Sequence, residues 1–211
     1  MRTISKGHEP ASLAQHRCVA HADYDNYTDK DTLRISLVTE QRGICCYCLT
    51  RIRPSNSGMK IEHWHCRDNY SGEQLDYKNL IGACLGGEGQ SRKRQHCDKQ
   101  KRNSDLSRNP ANPAHQVEQF TRFEADGTIV SHDLTFDAEL NDVLNLNAPF
   151  LKNNRRATLE AFKAALVKRG NLPRATLERW LREWNGETHN GELPPFCQVV
   201  VYWLRKRLGR P

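Results

Sequence analysis

The chain has 211 residues, 37% of them hydrophobic, and a mean hydropathy of −0.79. This is the size of one domain, or of one domain with an appendage, and it leaves a large polar surface. Lysine and arginine outnumber the acidic residues 32 to 25, which gives a formal net charge of +7. No stretch approaches the roughly 18 consecutive apolar residues of a membrane span, and the first residues lack the apolar segment of a secretory signal. We therefore expect neither a membrane protein nor a classically secreted one.

The positive charge is concentrated near the end of the chain. Residues 151–211 hold 13 Lys and Arg against 5 Asp and Glu, whereas residues 1–150 hold 19 against 20. Such a surplus predicts a surface for a polyanion or an acidic partner. Solvated helix faces have the same composition, and charge alone does not choose between the two.

The first predicted element is a helix over residues 31–41, after a polar lead-in over residues 1–30 with a short turn or helix. Asp31 suits the N-cap, and Gly43 is a stop signal. The predicted buried face consists of Leu33, Leu37 and Gln41.

A cluster of cysteines and histidines follows this helix. Six of the eight cysteines lie within residues 45–97, together with three histidines. Without an export signal thiols stay reduced, so the cluster favours a metal site over a disulfide scaffold. Cys45 and Cys48 have a spacing that lets two thiolates reach one zinc ion from a tight turn, and Cys84 and Cys97 would complete a closed four-thiolate site. Redox pairs share the first spacing, but no βαβ pattern accompanies it here.

Two other cysteines and one histidine are alternative ligands for the predicted zinc site. Cys46, Cys66 and His96 are rival ligands. We expect Cys18 and Cys197 to be ordinary core residues, because a free cysteine behaves as a small apolar side chain.

An acidic residue and a histidine, Glu62-His63, stand between the two cysteine pairs, and Asn79 and Asp98 follow. A carboxylate can hold a hard cation while an imidazole removes a proton from water. Hydrolysis of a phosphodiester needs both functions, an activated water and stabilisation of the developing charge. Each of these residues is common by itself, but their order beside the cysteines is informative.

Basic residues surround the last cysteine. They predict contacts to backbone phosphates, with an affinity that depends on salt and not on base sequence. A solvated loop is the alternative. The residues are Arg92, Lys93, Arg94, Lys99, Lys101 and Arg102.

The succession of Cys-x-x-Cys, acid-His, Asn-Leu, Cys and Cys-Asp-x-x-Lys resembles the HNH endonuclease pattern. That family folds as a ββα-metal motif, in which a zinc-pinned hairpin packs on a helix. The resemblance implies that His63 is the general base and that Asn79 orients it through the backbone of its loop. It also implies one catalytic Mg²⁺ or Mn²⁺ on Glu62 and Asp98. The implied structural zinc ligands are Cys45, Cys48, Cys84 and Cys97.

The chain departs from the usual HNH pattern in three places. Glu62 replaces the common Asp, and Asp98 stands where Asn or His is commoner, but both keep oxygen ligands for a hard cation. The last two cysteines are separated by twelve residues instead of two, so the zinc role is less firmly assigned for Cys84 than for Cys45 and Cys48.

The rest of the chain predicts a boundary, a hairpin and helices. Residues 109–113 are a breaker cluster, and Asp126-Gly127 between residues 119–123 and 128–130 is a hairpin signal. A short apolar helix is expected around residues 140–146. Further helices are predicted over residues 151–168, from Leu172-Pro173, and from Pro194-Pro195; their apolar stripes favour core over interface.

We therefore predict an α+β protein with a zinc-stabilised ββα-metal core, a β-hairpin and a helical C-terminal part. The predicted regions are a lead-in and helix over residues 1–43, a nuclease core over residues 44–108, and a hairpin and helical region over residues 109–211 packed on that core.

A narrower resemblance extends over most of residues 10–208. Segments 41–48, 61–63, 77–80, 96–101, 144–156 and 196–204 are similar to the PtuB-type HNH nuclease subunit of Septu and retron anti-phage systems. The resemblance implies a prokaryotic, cytoplasmic effector nuclease. Its expected substrate is DNA, with RNA as the alternative. Its implied partners are a PtuA-type ATPase of the ABC/SMC-like class and, in retron versions, a reverse transcriptase with its RNA–DNA hybrid.

Three other functions compete with this interpretation. A zinc-dependent binding module would bind nucleic acid or protein without catalysis, and a stand-alone HNH restriction-type enzyme would cut without an ATPase. A redox protein would use Cys45 and Cys48.

Overall fold

The computed structural model describes residues 1–168, 170 and 173–209. Within these residues the chain forms seven α-helices and two antiparallel two-stranded hairpins, which confirms the predicted α+β class. None of these helices is both long and apolar enough to cross a bilayer. In chain order the elements are α1 (Ala11–Arg17), α2 (Lys30–Glu40), β1 (Lys60–His63), β2 (Leu80–Ala83), α3 (Asp98–Lys101), β3 (Thr121–Phe123), β4 (Ile129–Ser131), α4 (Leu134–Ala138), α5 (Pro149–Val167), α6 (Arg174–Trp184) and α7 (Cys197–Arg207).

Helix α2 begins slightly earlier than the sequence predicts. The N-cap is Asp29, whose side chain accepts a hydrogen bond from the Thr32 amide at 3.3 Å. Asp31, the predicted cap, lies inside the first turn and pairs with Arg34 instead. The predicted buried face is confirmed, since Leu33, Leu37 and Gln41 are all buried.

The end of α2 is bonded to the first hairpin. The Gln41 side-chain amide donates to the carbonyl of Gly82 at 2.7 Å, and the Gly82 amide donates back to Gln41 Oε1 at 2.5 Å. A Cβ on Gly82 would lie 3.0 Å from Met59 Cε, so the close approach depends on glycine. Strand β2 pairs with β1 so that Glu62 faces Ile81 and His63 faces Leu80. The helix thereby fixes the strand that positions Glu62 and His63.

The predicted Asp-Gly hairpin is confirmed as β3 and β4, with Arg122 opposite Val130. Gly127 in its turn has a φ of +87°, and a Cβ there would lie 2.1 Å from the carbonyl oxygen of Lys152 on α5. The buried Arg155 of α5 donates to the Gly127 carbonyl at 2.5 Å. The turn is therefore attached directly to the longest helix.

The short helix expected around residues 140–146 differs from the prediction. Helix α4 ends at Ala138 and continues as a π-helical turn over Glu139–Val143. Apolar spacing does not distinguish a wide turn from an α-helical one, because Leu140, Leu144 and Leu146 are buried in either case.

The three long C-terminal helices follow the predicted pattern. Pro149 occupies the first turn of α5, where its fixed φ fits and its missing amide is not needed. Helix α6 follows Pro173, whereas Leu172, expected at its start, lies outside the described residues. Their apolar stripes are core, as predicted: the buried members are Leu159, Phe162, Leu177, Leu181, Val199, Val200 and Leu204.

One buried cluster extends from Met1 to Leu208 and includes residues of every predicted region. The N-terminal segment crosses to distant parts of the chain, because the Ile4 amide donates to the carbonyl of Pro110 at 2.8 Å. Cys197 is buried, as expected, but Cys18 is exposed at the end of α1 and is not a core residue.

Candidate metal and catalytic site

The structure brings four cysteines together, Cys45, Cys48, Cys84 and Cys97, with all their sulfur atoms within 4.8 Å of one another. The Cys45–Cys97 and Cys48–Cys84 Sγ distances are 3.9 and 3.6 Å. A tetrahedral zinc with Zn–S bonds of about 2.3 Å separates its sulfurs by about 3.8 Å, so these distances fit such an ion. The four cysteines can bind a structural metal such as zinc.

Backbone hydrogen bonds hold the first two cysteines in a tight knuckle on β2. The Cys45 amide donates to the carbonyl of Thr50 at 2.8 Å, and the Cys46 amide donates to the carbonyl of Gly82 at 3.0 Å. Leu49 completes the turn with a φ of +65°. The knuckle therefore presents Cys45 and Cys48 to the end of β2, where Cys84 follows directly.

Cys97 reaches the same place from a loop held by the C-terminal region. Its amide donates to the Leu144 carbonyl at 2.9 Å, and its φ of +54° turns the chain into α3. Asn145 adds a bond from its side-chain amide to the carbonyl of Gln95 at 2.7 Å. The long gap between Cys84 and Cys97 is thus closed by contacts that neither cysteine motif reveals.

The ionisation of the cluster also suits a cation. Burial opposes the ionisation of Cys45, but hydrogen bonds from the neighbouring thiols outweigh it and lower the pKa of Cys45 well below its ordinary value. Burial raises the pKa of Cys97 instead. Four thiolates in one buried place repel each other, so full ionisation requires a bound cation.

The rival ligands lie outside the four-sulfur group. Cys46 and Cys66 are buried but do not belong to it. His96 comes nearest, with Nε2 3.5 Å from Cys84 Sγ, and its Nδ1 lies 3.2 Å from the Arg94 carbonyl. His96 therefore contacts a cysteine of the cluster from outside.

Glu62 and Asp98 come together from β1 and from the first turn of α3. Glu62 Oε1 accepts hydrogen bonds from the Tyr47 hydroxyl at 2.9 Å and from the Lys101 ammonium at 3.0 Å. Burial, and then the neighbouring Asp98 carboxylate, raise the pKa of Glu62 well above its ordinary value. A divalent cation bound by both carboxylates would remove this repulsion, and carboxylate oxygens suit Mg²⁺ or Mn²⁺.

His63 is buried beside this acidic pair. Its Nε2 lies 3.0 Å from the carbonyl oxygen of Gln74, which can only accept, so the neutral ring carries its proton there and a lone pair on Nδ1. The Tyr24 ring packs against it edge-on, with centroids 4.5 Å apart. Burial lowers the pKa of His63 to about 4. The imidazole is therefore neutral at pH 7, and Nδ1 can accept a proton.

Asn79 braces the loop that follows His63. Its Oδ1 accepts from the His65 amide at 2.7 Å, and its Nδ2 donates to the carbonyls of His65 and Glu73 at 3.0 and 3.2 Å. Glu73 directly precedes Gln74, whose carbonyl holds the His63 ring. The structure thus places Asn79 where it fixes both ends of the loop around His63.

The basic residues divide into two groups. The exposed ones are Arg92, Lys93, Arg94 and Arg102, and the half-buried Lys99 lies 3.8 Å from Glu88. The prediction that Lys101 contacts a backbone phosphate is wrong. Its side chain is buried, with 1% exposure, and its ammonium bonds to Glu62 and, at 3.2 Å, to the His63 carbonyl. It does not lie on a surface that a phosphate can reach.

The structure also reveals cations near His63 that the sequence motifs do not include. The Arg67 guanidinium lies 5.0 Å and the Lys30 ammonium 4.5 Å from the Tyr24 ring centroid. Arg67 also pairs with the exposed Asp25 at 2.7 Å. Both cations therefore lie against the ring that packs on His63. In the sequence, only Arg67 gave an indication that it lies near His63, because it follows that histidine by four residues. Lys30 and Tyr24 are too distant from His63 in sequence to give such an indication.

No protein-family model matches the chain, and curated proteins provide no significant sequence match.

Proposed function

We propose that this protein is a metal-dependent endonuclease of the HNH type that hydrolyses phosphodiester bonds of nucleic acid. DNA is the preferred candidate substrate, and RNA is the alternative. The observation that carries the proposal is the paired Glu62 and Asp98 carboxylates beside a neutral His63 whose Nε2 is bonded to a carbonyl. The order β1, β2, α3, with the acid-His pair on β1 and Asp98 on α3, supports a ββα-metal arrangement.

In the proposed reaction, each residue has one task. His63 Nδ1 takes the proton of the attacking water, and the Gln74 carbonyl keeps the ring in the required tautomer. Asn79 holds the loop that carries that carbonyl. Glu62 and Asp98 would hold the divalent cation, which when bound supplies Lewis-acid stabilisation of the phosphorane and the leaving oxygen.

The substrate phosphate would be bound by cations that surround this centre. Arg67 and Lys30 both lie against the Tyr24 ring, which packs on His63. The zinc proposed for the cysteine cluster would be structural, because four thiolates leave no position for water.

At the level of the system, we propose that the nuclease is the effector of an anti-phage complex. Its partners would be a PtuA-type ATPase of the ABC/SMC-like class and, in a retron version, a reverse transcriptase with its RNA–DNA hybrid. The similarity to the PtuB-type subunit supports this, and the surplus of positive charge in residues 151–211 provides a surface for an acidic partner or for nucleic acid.

The test is a single substitution, His63→Ala, assayed for cleavage of labelled single- and double-stranded DNA and RNA with Mg²⁺ or Mn²⁺. The assay is run with and without a PtuA-type ATPase of the ABC/SMC-like class. We expect cleavage to fall at least about 100-fold, the usual contribution of a general base, with zinc content unchanged and the chain still folded. His8→Ala, an exposed histidine, is the matched control.

The outcomes separate the alternatives. Full cleavage by His63→Ala contradicts the catalytic assignment. Metal-dependent cleavage without the ATPase identifies a stand-alone enzyme and contradicts the partner proposal.

One observation favours a second function, a zinc-dependent binding module without catalysis. Lys101 already neutralises Glu62 inside the protein, as it would if the acid were only structural. That function predicts bound zinc and no cleavage with every partner and metal present.

A further inference from the structure

A cleft lies beside the cysteine cluster, since its lining includes His96, whose Nε2 is 3.5 Å from Cys84 Sγ, and none of its lining residues is proposed for catalysis. Its volume is about 630 Å³, within the roughly 300–1,000 Å³ of ordinary ligand sites. One wall is the loop between Cys84 and Cys97, and the other is the first turn of α5. The lining residues are Gly87, Gln90, Lys93, Arg94, His96, Pro149, Phe150 and Asn153.

The two walls are held rigidly together. The Asn145 side-chain amide donates to the carbonyl of Gln95 at 2.7 Å and lies 3.3 Å from that of Lys93. His96 contacts the Phe150 ring edge-on, with centroids 4.9 Å apart. Gly87, at a φ of +73°, lets the loop fold so closely that a Cβ there would lie 2.7 Å from the Arg94 carbonyl. The cleft is therefore formed before any ligand arrives.

The charge of the cleft selects an anion. Lys93 and Arg94 are exposed, no ion pair joins either to another described residue, and no lining residue is acidic. Nearby acids are already paired, Glu88 with Lys60 at 2.9 Å, for example. The two cations thus carry uncompensated charge into the cleft.

An aromatic ring accompanies these cations. Phe150 is 37% exposed, although α5 otherwise turns its large apolar residues inward, apart from Val167 at its last turn. A flat apolar ring beside two unpaired cations is the combination that binds single-stranded nucleic acid, because the ring stacks on a base and the cations bind the phosphates. In a duplex the base faces are stacked on one another, so no free base face is available to stack on the Phe150 ring.

We propose that this cleft binds a single-stranded segment of nucleic acid, with a base stacked on Phe150 and adjacent phosphates bound by Lys93 and Arg94. The inference rests on the proposed nuclease function and adds to it the form of the substrate. His96 in the cleft wall is two residues before Asp98 in the chain, so the cleft borders the segment that carries a proposed cation ligand.

The test measures binding in a His63→Ala background without added divalent cation, so that no cleavage is needed. The probes are a short labelled oligodeoxythymidylate, the same backbone with abasic sites, and a duplex of equal length. We expect Phe150→Ala to weaken binding of the oligodeoxythymidylate about tenfold, within the stacking energy of one base, and to leave abasic binding unchanged. Phe150→Trp should restore or exceed the original affinity.

The charge is tested separately. Lys93→Gln/Arg94→Gln should weaken binding of both single strands and reduce the salt dependence of binding by about two phosphate contacts. The control, Lys78→Gln/Arg122→Gln, removes the same charge from exposed positions outside the basic residues 151–211 and should have little effect. Zinc content and unfolding midpoint of every variant show whether the adjacent cluster is intact.

Several results would overturn the inference. These are equal loss of abasic and oligodeoxythymidylate binding in Phe150→Ala, duplex binding as tight as single-strand binding, no difference between the two charge variants, or binding of polyglutamate in place of nucleic acid. If cleavage occurs but the cleft variants bind normally, the nuclease proposal stands and the cleft proposal fails. If the variants bind as expected but no cleavage occurs, the reverse holds.

Discussion

Lys101 brings a positive charge into the interior of the protein and is the clearest case of a side chain whose role depends on its partners. Its ammonium lies between Glu62 and the carbonyl of His63. Removing one member of a buried pair costs far more than removing both, because the other is left uncompensated. The lysine thus stabilises the two residues proposed for catalysis.

We expect Lys101→Met to lower the free energy of unfolding by about 3–5 kcal/mol, the cost of leaving a buried charge without its partner. Glu62→Gln/Lys101→Met should regain most of that loss, because both charges are gone. Urea unfolding of the two variants provides the measurement.

Lys99→Met is the matched control on the same helix, with an expected change within about 0.5 kcal/mol for a surface position. An equal loss in the single and double variants would contradict the ion-pair account.

At this scale the sequence predicted residue types better than it predicted their surroundings. The spacing of Asp98 and Lys101, three residues apart, would have indicated a shared helix face, but not that this face lies beside Glu62. Without the fold, a lysine in a basic segment looks like a phosphate ligand. The packing of Tyr24, Lys30 and Arg67 near His63 depends on contacts between distant segments, which a local pattern does not contain.

At the scale of elements, the contact between the β3–β4 turn and α5 is among the tightest in the fold. Gly127 has a left-handed φ, and a backbone oxygen of α5 lies so close that it would clash with a Cβ at this position. Both conditions penalise any larger residue.

Gly127→Ala should lower the free energy of unfolding by about 2–5 kcal/mol, the sum of a left-handed penalty and an overpacking penalty. Gly89→Ala separates the two contributions. Gly89 has a similar φ of +79° and nothing within 4 Å of its Cβ position, so only the first penalty of about 1–2 kcal/mol applies. Equal losses in urea unfolding would show that crowding at α5 contributes nothing.

The elements differ in how well local pattern determines them. Helices α2, α5, α6 and α7 and the β3–β4 hairpin were predicted because each has an apolar period or a turn signal of its own. Helix α3 has only four residues, too few to show a period, and it depends on the turn at Cys97. The π-helical turn after α4 was missed because its buried leucines fit a regular helix equally well.

At the scale of the molecule, the four-cysteine cluster joins segments that no regular element connects. The knuckle before β1, the end of β2 and the start of α3 meet there, and the C-terminal region reaches it through the carbonyl of Leu144. Since one continuous core also runs from Met1 to Leu208, loss of the cluster should affect the whole chain.

Cys84→Ser should abolish stoichiometric zinc binding and lower the free energy of unfolding by at least about 4 kcal/mol, the linkage value for a metal present at about 1,000 times its dissociation constant. Mass spectrometry of the native protein and thermal unfolding measure the two effects. A strong chelator should reproduce the second.

Two other thiols serve as controls for the cluster. Cys46→Ser, which removes a rival ligand, and Cys18→Ser, at an exposed position, should both retain the metal. Zinc retained by Cys84→Ser and lost by Cys46→Ser would reverse the assignment.

The loop between Cys84 and Cys97 has a consequence for how such a protein can diverge. Both of its ends belong to the cysteine cluster, while residues 88–94 at its tip are exposed. Doubling a loop whose ends are already fixed costs only about 0.6 kcal/mol. Insertions and deletions among the exposed residues 88–91 therefore cost little, and the separation of the last two cysteines can change while their geometry stays the same. A fixed number of residues between the last two cysteines is therefore a poor search pattern for this kind of site. The length of the loop can change without any change in the buried core.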